Sequence, residues 1–324
     1  MSGEFERIAR FLAPLADDRP EALGLSDDAA VLHPPGVGSY VTTLDTMVEG
    51  VHYLPDDPPE RVARKLLRVN LSDLAAMGAE PYGYLLSLCL PRERDDTWLA
   101  AFCQGLREDQ EIFGIGLLGG DSVSTQGAAV LSLCAIGLGE EEKLFRRSGA
   151  QVGDLLFVSG TIGDGALGLA VRRQEFLWLA FEERDALARR YQLPEPRLAL
   201  AAALRGHVTA AIDVSDGLLA DAGHLAETSG VAIEISGPRV PLSKAAESVL
   251  AEDPELFPSL LGGGDDYELL FTAPVEARQA VLTAAEASAT PVTEIGSIAA
   301  GKGVSLLDRA GKVISVDRKG WTHV

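Results

Sequence analysis

The sequence has little of what usually marks a metal or cofactor site. Its three cysteines, Cys89, Cys103 and Cys134, stand singly in apolar stretches without a C-x-x-C pair, which excludes a zinc site or disulfide framework and points to core packing. The five histidines show no metal-ligand spacing. Basic residues are scarce, 28 against 48 acidic ones for a formal net charge of -20, so a nucleic-acid backbone or anionic membrane is not an expected partner. Any phosphate ligand then needs help from cations. The apolar run at residues 127–139 is too short to span a bilayer, and residues 1–7 lack the apolar core of a signal peptide, so the reading is cytoplasmic. Both standard phosphate cradles are missing: there is no G-x-x-x-x-G-K-S/T loop, and the glycines of 160–165 have the wrong spacing for G-x-G-x-x-G.

What is present is length and apolar mass. With 324 residues, 47% of them hydrophobic, the chain can build two domains of roughly 150 residues each. Helical and strand patterns mix without the steady alternation of a doubly wound sheet, so the expected class is α+β. The charged cluster at 140–147, followed by Ser148-Gly149 and the Gly153-Asp154 turn, divides the chain into expected domains 1–139 and 140–324.

The stretch V-N-L-S-D-L-A-A-M-G-A at 69–79 organises the reading. It closes a predicted helix that opens at Pro58-Pro59 and ends on a C-cap at Gly78. Val62, Leu66, Val69 and Met77 keep the spacing of one apolar face, and Asp73 lies on that same face. An isolated charge there costs several kcal/mol or more, so the carboxylate needs either a lysine or arginine partner or a metal ion.

Other expectations follow along the chain. Phe5, Ile8, Leu12 and Leu15 predict an N-terminal amphipathic helix, and Trp98, Phe102 and Leu106 form the stripe of a helix running from an Asp95 or Asp96 cap to Gly114. Strands are predicted at 40–44, 115–118 and 209–212, each running out into an acid: Asp45, Gly119-Gly120-Asp121 and Asp213. Helical sequence is read from 166 to 190, and paired strands flank a turn at 309–311.

Asp28, Asp45, Asp73, Asp121, Asp213 and Asp216 thus share one property, a place at a strand end or on a buried helix face. Any one of them beside glycine is ordinary turn chemistry. Six together suit hard oxygen ligation, with magnesium favoured over zinc or copper. If ATP enters such a site, each phosphate–carboxylate pair at 4 Å repels by roughly 4 kcal/mol at an effective dielectric of 20, so metal ions must bridge them.

At these residues the chain resembles the thiamine-monophosphate kinase family, enzymes that phosphorylate thiamine monophosphate with ATP. The resemblance covers nearly the whole chain and rests on Gly3-Glu4-Phe5, Asp27-Asp28-Ala29-Ala30, Asp45-Thr46 with His52 downstream, 69–79, Gly119-Gly120-Asp121, Arg147-Ser148-Gly149, 212–217, 263–269 and Lys319-Gly320-Trp321. It implies a place among ATP-binding enzymes that resemble aminoimidazole ribonucleotide synthetase: an N-terminal mixed sheet domain forming a homodimer barrel, and a C-terminal α+β domain. It further implies that Asp28, Asp45, Asp73, Asp121, Asp213 and Asp216 hold several magnesium ions, with Thr43 adding an oxygen. Gly120, Asp121, Arg147 and Ser215 then belong to ATP, and His52, Asp265 and Trp321 to the thiamine phosphate. Asp73, Asp121 and Asp213 are the expected catalytic acids. Ser26 stands where the family usually has glycine; Leu44 stands where threonine is common and contributes its carbonyl; Asp265 is one methylene shorter than the usual Glu. Structural alternatives pair Arg147 with Glu140–Glu142, make His52 a loop histidine and Trp321 a packing anchor. The competing functions are another ATP-using enzyme of the same superfamily and a catalytically silent binding module.

Overall fold

The computed structural model describes residues 30–32, 38–316 and 320. The expected N-terminal helix, Ser26, Asp28 and Trp321 lie outside the described residues. In chain order the elements are β1 (Ala30–Leu32), β2 (Ser39–Val48), α1 (Pro59–Ala76), β3 (Glu80–Pro91), α2 (Asp96–Phe113), β4 (Gly116–Thr125) and β5 (Val130–Gly139). They are followed by β6 (Leu155–Ser159), α3 (Asp164–Arg172), α4 (Phe181–Gln192), α5 (Leu198–Leu204), β7 (Ala210–Val214), α6 (Leu218–Ser229) and β8 (Ala232–Ser236). The rest are α7 (Lys244–Glu252), α8 (Phe257–Leu261), β9 (Glu268–Ala273), α9 (Arg278–Ala287), β10 (Val292–Ala299) and β11 (Gly303–Leu307).

The strands form two sheets. One has the order β1-β2-β5-β3-β4, antiparallel except for the β3–β4 pair, and the other the order β11-β8-β10-β6-β9-β7, antiparallel except for β11–β8. Both are mixed with helices in the α+β manner.

Helix α1 starts where the sequence places it, with proline in its first turn, and stops at a Met77 cap followed by Gly78 at φ +68°, a left-handed conformation that glycine adopts without a Cβ penalty. Its surroundings differ from a one-faced amphipathic helix. It packs against β2, β5 and β3 on one side and against β7, β9, α4 and α5 on the other. Leu66, Leu67, Leu71 and Leu74 are fully buried, each contributing about 1.5–3 kcal/mol by removal from water. Ala75 and Ala76 join Phe145, Phe157, Leu200 and Phe271 in a cluster that ties the helix to the second sheet. Residues 62–77 are all buried except Arg64 and Asp73, which are half-buried.

Several expected boundaries shift for one reason: the ladder extends past the acids. β2 runs through Asp45 to Val48, β4 through Gly119-Gly120-Asp121 to Thr125, and β7 through Asp213 to Val214. These acids are therefore strand residues instead of residues just past a strand. The helical stretch at 166–190 divides into α3 and α4, broken where Gln174 and Phe176 take φ of +67° and +51°. β11 pairs with β8 instead of forming a hairpin across 309–311, where a Leu307–Val313 bridge closes the turn. The cysteines are not core residues: Cys103 is exposed beside the buried Phe102 stripe of α2, and Cys89 and Cys134 are half-buried, all three as free thiols.

Candidate active site

The acids of the first half meet at α1. Thr43 and Asp45 alternate with the outward Leu44 along β2 and so face the helix. The Thr43 hydroxyl donates to Asp73 Oδ2 at 2.5 Å, and the Asp45 amide donates to Asn70 Oδ1 at 3.2 Å. Asn70 is held in turn by its own Nδ2 donating to Leu66 O at 2.9 Å. From the second sheet, Asp213 Oδ2 accepts the Ser72 hydroxyl at 2.7 Å. One helical turn thus collects a carboxylate from each sheet around Asp73.

No lysine or arginine pairs with Asp73 among the described residues. Burial, reinforced by the carboxylates of Asp45 and Asp213, pushes the Asp73 carboxyl well above the usual range, against the opposing Thr43 bond. Burial also raises Asp213, while the Ser72 hydroxyl and the Arg147 charge oppose it. Three converging carboxylates and a hydroxyl form a donor set that fits a hard divalent cation.

The next shell continues the acidity. Asp216 and Gly217 donate their amides to Asp221 Oδ2 at 3.1 and 3.0 Å, and burial together with Asp216 and Asp213 raises Asp221 well above the carboxylate range. Asp216, Asp221 and His224 bring one ligand atom each to within 4.8 Å of one another. Arg147 opposes the upward shifts of both Asp213 and Asp221 by its charge. It is Arg146, not Arg147, that pairs with Glu141, at 2.6 Å. Ser215 lies on the loop after β7, its carbonyl accepting the Asp265 amide at 2.9 Å. A Cβ on Gly264 would sit 2.4 Å from that carbonyl, so only glycine permits the approach of the two loops.

Asp121 is not brought to this cluster within one chain. The register Asp45–Leu133–Leu86–Gly120 places Gly120 three strand spacings, about 14 Å, from Asp45. Asp121 belongs to the adjoining row with Thr46, Ser132 and Ser87, on the outer face, where it is exposed and accepts the Ser122 amide at 2.8 Å.

The other end of α1 carries a second group. His52 lies in the turn after β2, and its Nδ1 accepts the Val48 amide at 3.0 Å, so in the neutral ring Nε2 carries the proton and is the donor. Lys65, 3% exposed, donates to Asp265 Oδ2 at 3.0 Å and to His52 O at 3.2 Å, and its Nζ stands 3.7 Å above the Tyr191 ring centroid. The Tyr267 hydroxyl donates to Asp265 Oδ1 at 3.2 Å. Burial raises the Tyr267 phenol well above its ordinary value, with Asp265, Asp45 and Asp213 adding to it, which ties this end to the acid cluster.

Sequence reasoning passed over Asn70, Ser72, Lys65, Tyr191, Asp221 and Tyr267. Asn70 and Ser72 lie inside the 69–79 motif itself. Lys65 was findable by the spacing that singled out Asp73: it stands three residues after Val62 and four before Val69. Tyr191 offers no local signal.

Comparison with known proteins fits this arrangement. Residues 26–139 match the AIR synthase related protein, N-terminal domain, and residues 151–309 its C-terminal domain. Thiamine-monophosphate kinase of Caulobacter vibrioides is 45% identical over 99% of this chain and 90% of its own length, and that of Escherichia coli 37% identical over 99% and 98%. The chain belongs to the thiamine-monophosphate kinase family. A solved structure of the family, AaThiL complexed with AMPPCP and TMP, superposes with a TM-score of 0.84 at 32% identity, covering 99% of this chain and 97% of that one. The Stenotrophomonas maltophilia thiamine-monophosphate kinase gives 0.80 at 39% identity, covering 96% and 98%. Hydrogenase maturation protein HypE in complex with ATP, at 17% identity and a TM-score of 0.71 over 97% and 95%, shares the fold alone.

Proposed function

We propose that this kinase transfers the γ-phosphoryl group of ATP to thiamine monophosphate, giving thiamine diphosphate and ADP in a magnesium-dependent reaction. The observation that carries the metal requirement is the Asp45, Asp73 and Asp213 cluster, in which no lysine or arginine among the described residues pairs with Asp73. Thr43, the Leu44 carbonyl and these three acids would hold magnesium, with Asp28 and Asp216 completing the set and Asp121, on the outer face of the first sheet, able to join it only from a second copy of the chain. Bound there, magnesium neutralises the charge between carboxylates and ATP phosphates and stabilises the transferring phosphoryl group. Arg147 and Ser215 hold ATP beside the acids, and Gly120, like Asp121, reaches it only from a second copy of the chain.

The chain's own groups orient the acceptor. His52 offers Nε2–H to the substrate phosphate, and Asp265 accepts from the aminopyrimidine or balances the thiazolium. Trp321 covers the thiazolium, a cation–π contact worth roughly 0.5–2 kcal/mol. Because the acceptor is already an anion, transfer is direct and in line without a phosphoenzyme. We place the protein in the cytoplasm as a homodimer joined through the outer face of the first sheet, where Leu44, Leu85, Leu118 and Val123 are exposed.

Incubation with magnesium-ATP and thiamine monophosphate, scoring thiamine diphosphate and ADP, tests the reading. Product that forms equally well after complete chelation of divalent cations removes the metal assignment, and absence of product with magnesium present removes the activity. Sedimentation of the wild type and of Leu85→Glu tests the dimer: the expected result is a dimer that the charge dissociates.

A further inference from the structure

We propose that Lys65 is the positioning residue of the thiamine-phosphate end, presenting Asp265 and His52 together from a single buried ammonium. This rests on the reading of those two residues as substrate contacts. Lys65 reaches three partners from three distant parts of the chain: Asp265 Oδ2 at 3.0 Å, His52 O at 3.2 Å and the Tyr191 ring at 3.7 Å. Two hydrogen bonds and an aromatic face replace the water that an ammonium would otherwise hold.

The pair is asymmetric in a way that an internal ion pair need not be. The lysine side chain is 3% exposed and the aspartate 30%, so the cation is fixed inside and the anion reaches outward. Each Asp265 oxygen already has one donor, Lys65 on Oδ2 and Tyr267 on Oδ1, which leaves a second lone pair on each for a ligand. Lys65 therefore aims the carboxylate as well as neutralising it.

The loop it holds is strained. Asp265 and Tyr267 both take left-handed backbone angles, φ +71° and +51°, which non-glycine residues keep only where neighbours enforce them. Their amides are pinned to Ser215 O at 2.9 Å and Val214 O at 2.7 Å, on the strand and loop that carry Asp213 and Ser215. Lys65 supplies the matching restraint from α1. It bridges the two sequence halves, since His52 and Lys65 precede the first sheet's β3 while Tyr191 and Asp265 belong to the second half.

The test is a double-mutant cycle on the full chain with magnesium-ATP, measuring the KM for each substrate in Lys65→Met, Asp265→Ala and the double variant. Lys65→Met and Asp265→Ala are each expected to raise the KM for thiamine monophosphate by about tenfold or more through loss of alignment, with the KM for ATP within about twofold. The double variant is expected to exceed Asp265→Ala alone by less than the factor that Lys65→Met produces in the wild-type background, because the Asp265 share is already lost and only the His52 share remains. A thiamine-monophosphate KM that stays at the wild-type level or falls in Lys65→Met, while Asp265→Ala raises it, overturns the proposal and leaves the substrate reading standing. An ATP KM that rises equally in Lys65→Met makes Lys65 a general support of α1 and also overturns it. If Asp265→Ala leaves both constants unchanged, the substrate reading fails and this proposal with it. Lys65→Gln, which keeps a donor for His52 O without the charge, carries the same comparison should Lys65→Met fail to fold.

Discussion

Asp73 and Lys65 lie eight residues apart on α1, about 12 Å along the helix, and the protein treats their charges in opposite ways. Lys65 meets a carboxylate, a carbonyl and an aromatic face. Asp73 meets a hydroxyl and two further carboxylates. An ion pair satisfied within the fold fixes geometry, whereas converging like charges that burial drives toward protonation leave a site to be completed by a cation from outside. On the two proposals made above, the contrast separates a positioning end from a metal end on one helix.

The largest expected effect tests the metal end. Asp73→Asn keeps the shape and removes the charge, and turnover is expected to fall by roughly two or more orders of magnitude with the thermal midpoint unchanged or raised. Near wild-type turnover would break the comparison, making Asp73 as structural as any buried polar residue. A radiolabelled phosphoenzyme trapped after ATP alone would break the direct-transfer half of the mechanism.

The substrate end predicts a smaller effect of another kind. Asp265→Ala is expected to raise the Michaelis constant for thiamine monophosphate about tenfold while sparing that for ATP, because it removes an interaction with one substrate. Equal rises in both constants would merge the two ends into one structural support.

The comparison sharpens with pH. Asp73, Asp213 and Asp221 have folded-state values raised above those of the unfolded chain, so the folded protein binds more protons. The contribution of these three groups to the stability of the metal-free protein is therefore fully present below the ordinary carboxylate range and is lost as pH rises through the raised values. Thermal unfolding in chelator is expected to show the midpoint falling across that interval. Magnesium at 100 times its dissociation constant restores about 2.7 kcal/mol, most evidently at the alkaline end, where the carboxylates are ionised. A midpoint indifferent to magnesium at every pH would remove the cation from this cluster.

The smallest effect lies away from both ends. The Asp95 side chain caps α2 by accepting the Trp98 amide at 2.9 Å, and Asp95→Ala is expected to cost about 1 kcal/mol of stability with both Michaelis constants unchanged. A change in either constant would show that α2 transmits to the site.

Local chemistry made much of this legible. The Asp95 cap, the Gly78 and Gly114 terminations and the bounds of Leu218–Ser229 follow from residues within a few positions of one another. The need to compensate Asp73 was equally local, since its spacing from Val69 and Met77 put a carboxylate on an apolar face. The same spacing marked Lys65, but nothing nearby in sequence names Asp265 or Tyr191 as its partners.

The sequence by itself therefore determined which residues bear charge, where α1 and α2 begin and end, and that an acid on the apolar face of α1 demanded a counter-charge. Tertiary structure alone decided what each charge meets. Ser72 and Asp213 are 141 positions apart and Lys65 and Asp265 are 200 apart, and the outer-face row of Asp121 exists only once β4 is registered on β3. The physical reason is range: helix and strand periods encode which way a side chain points, while hydrogen bonds and charges act between neighbours in space, whatever the length of chain between them.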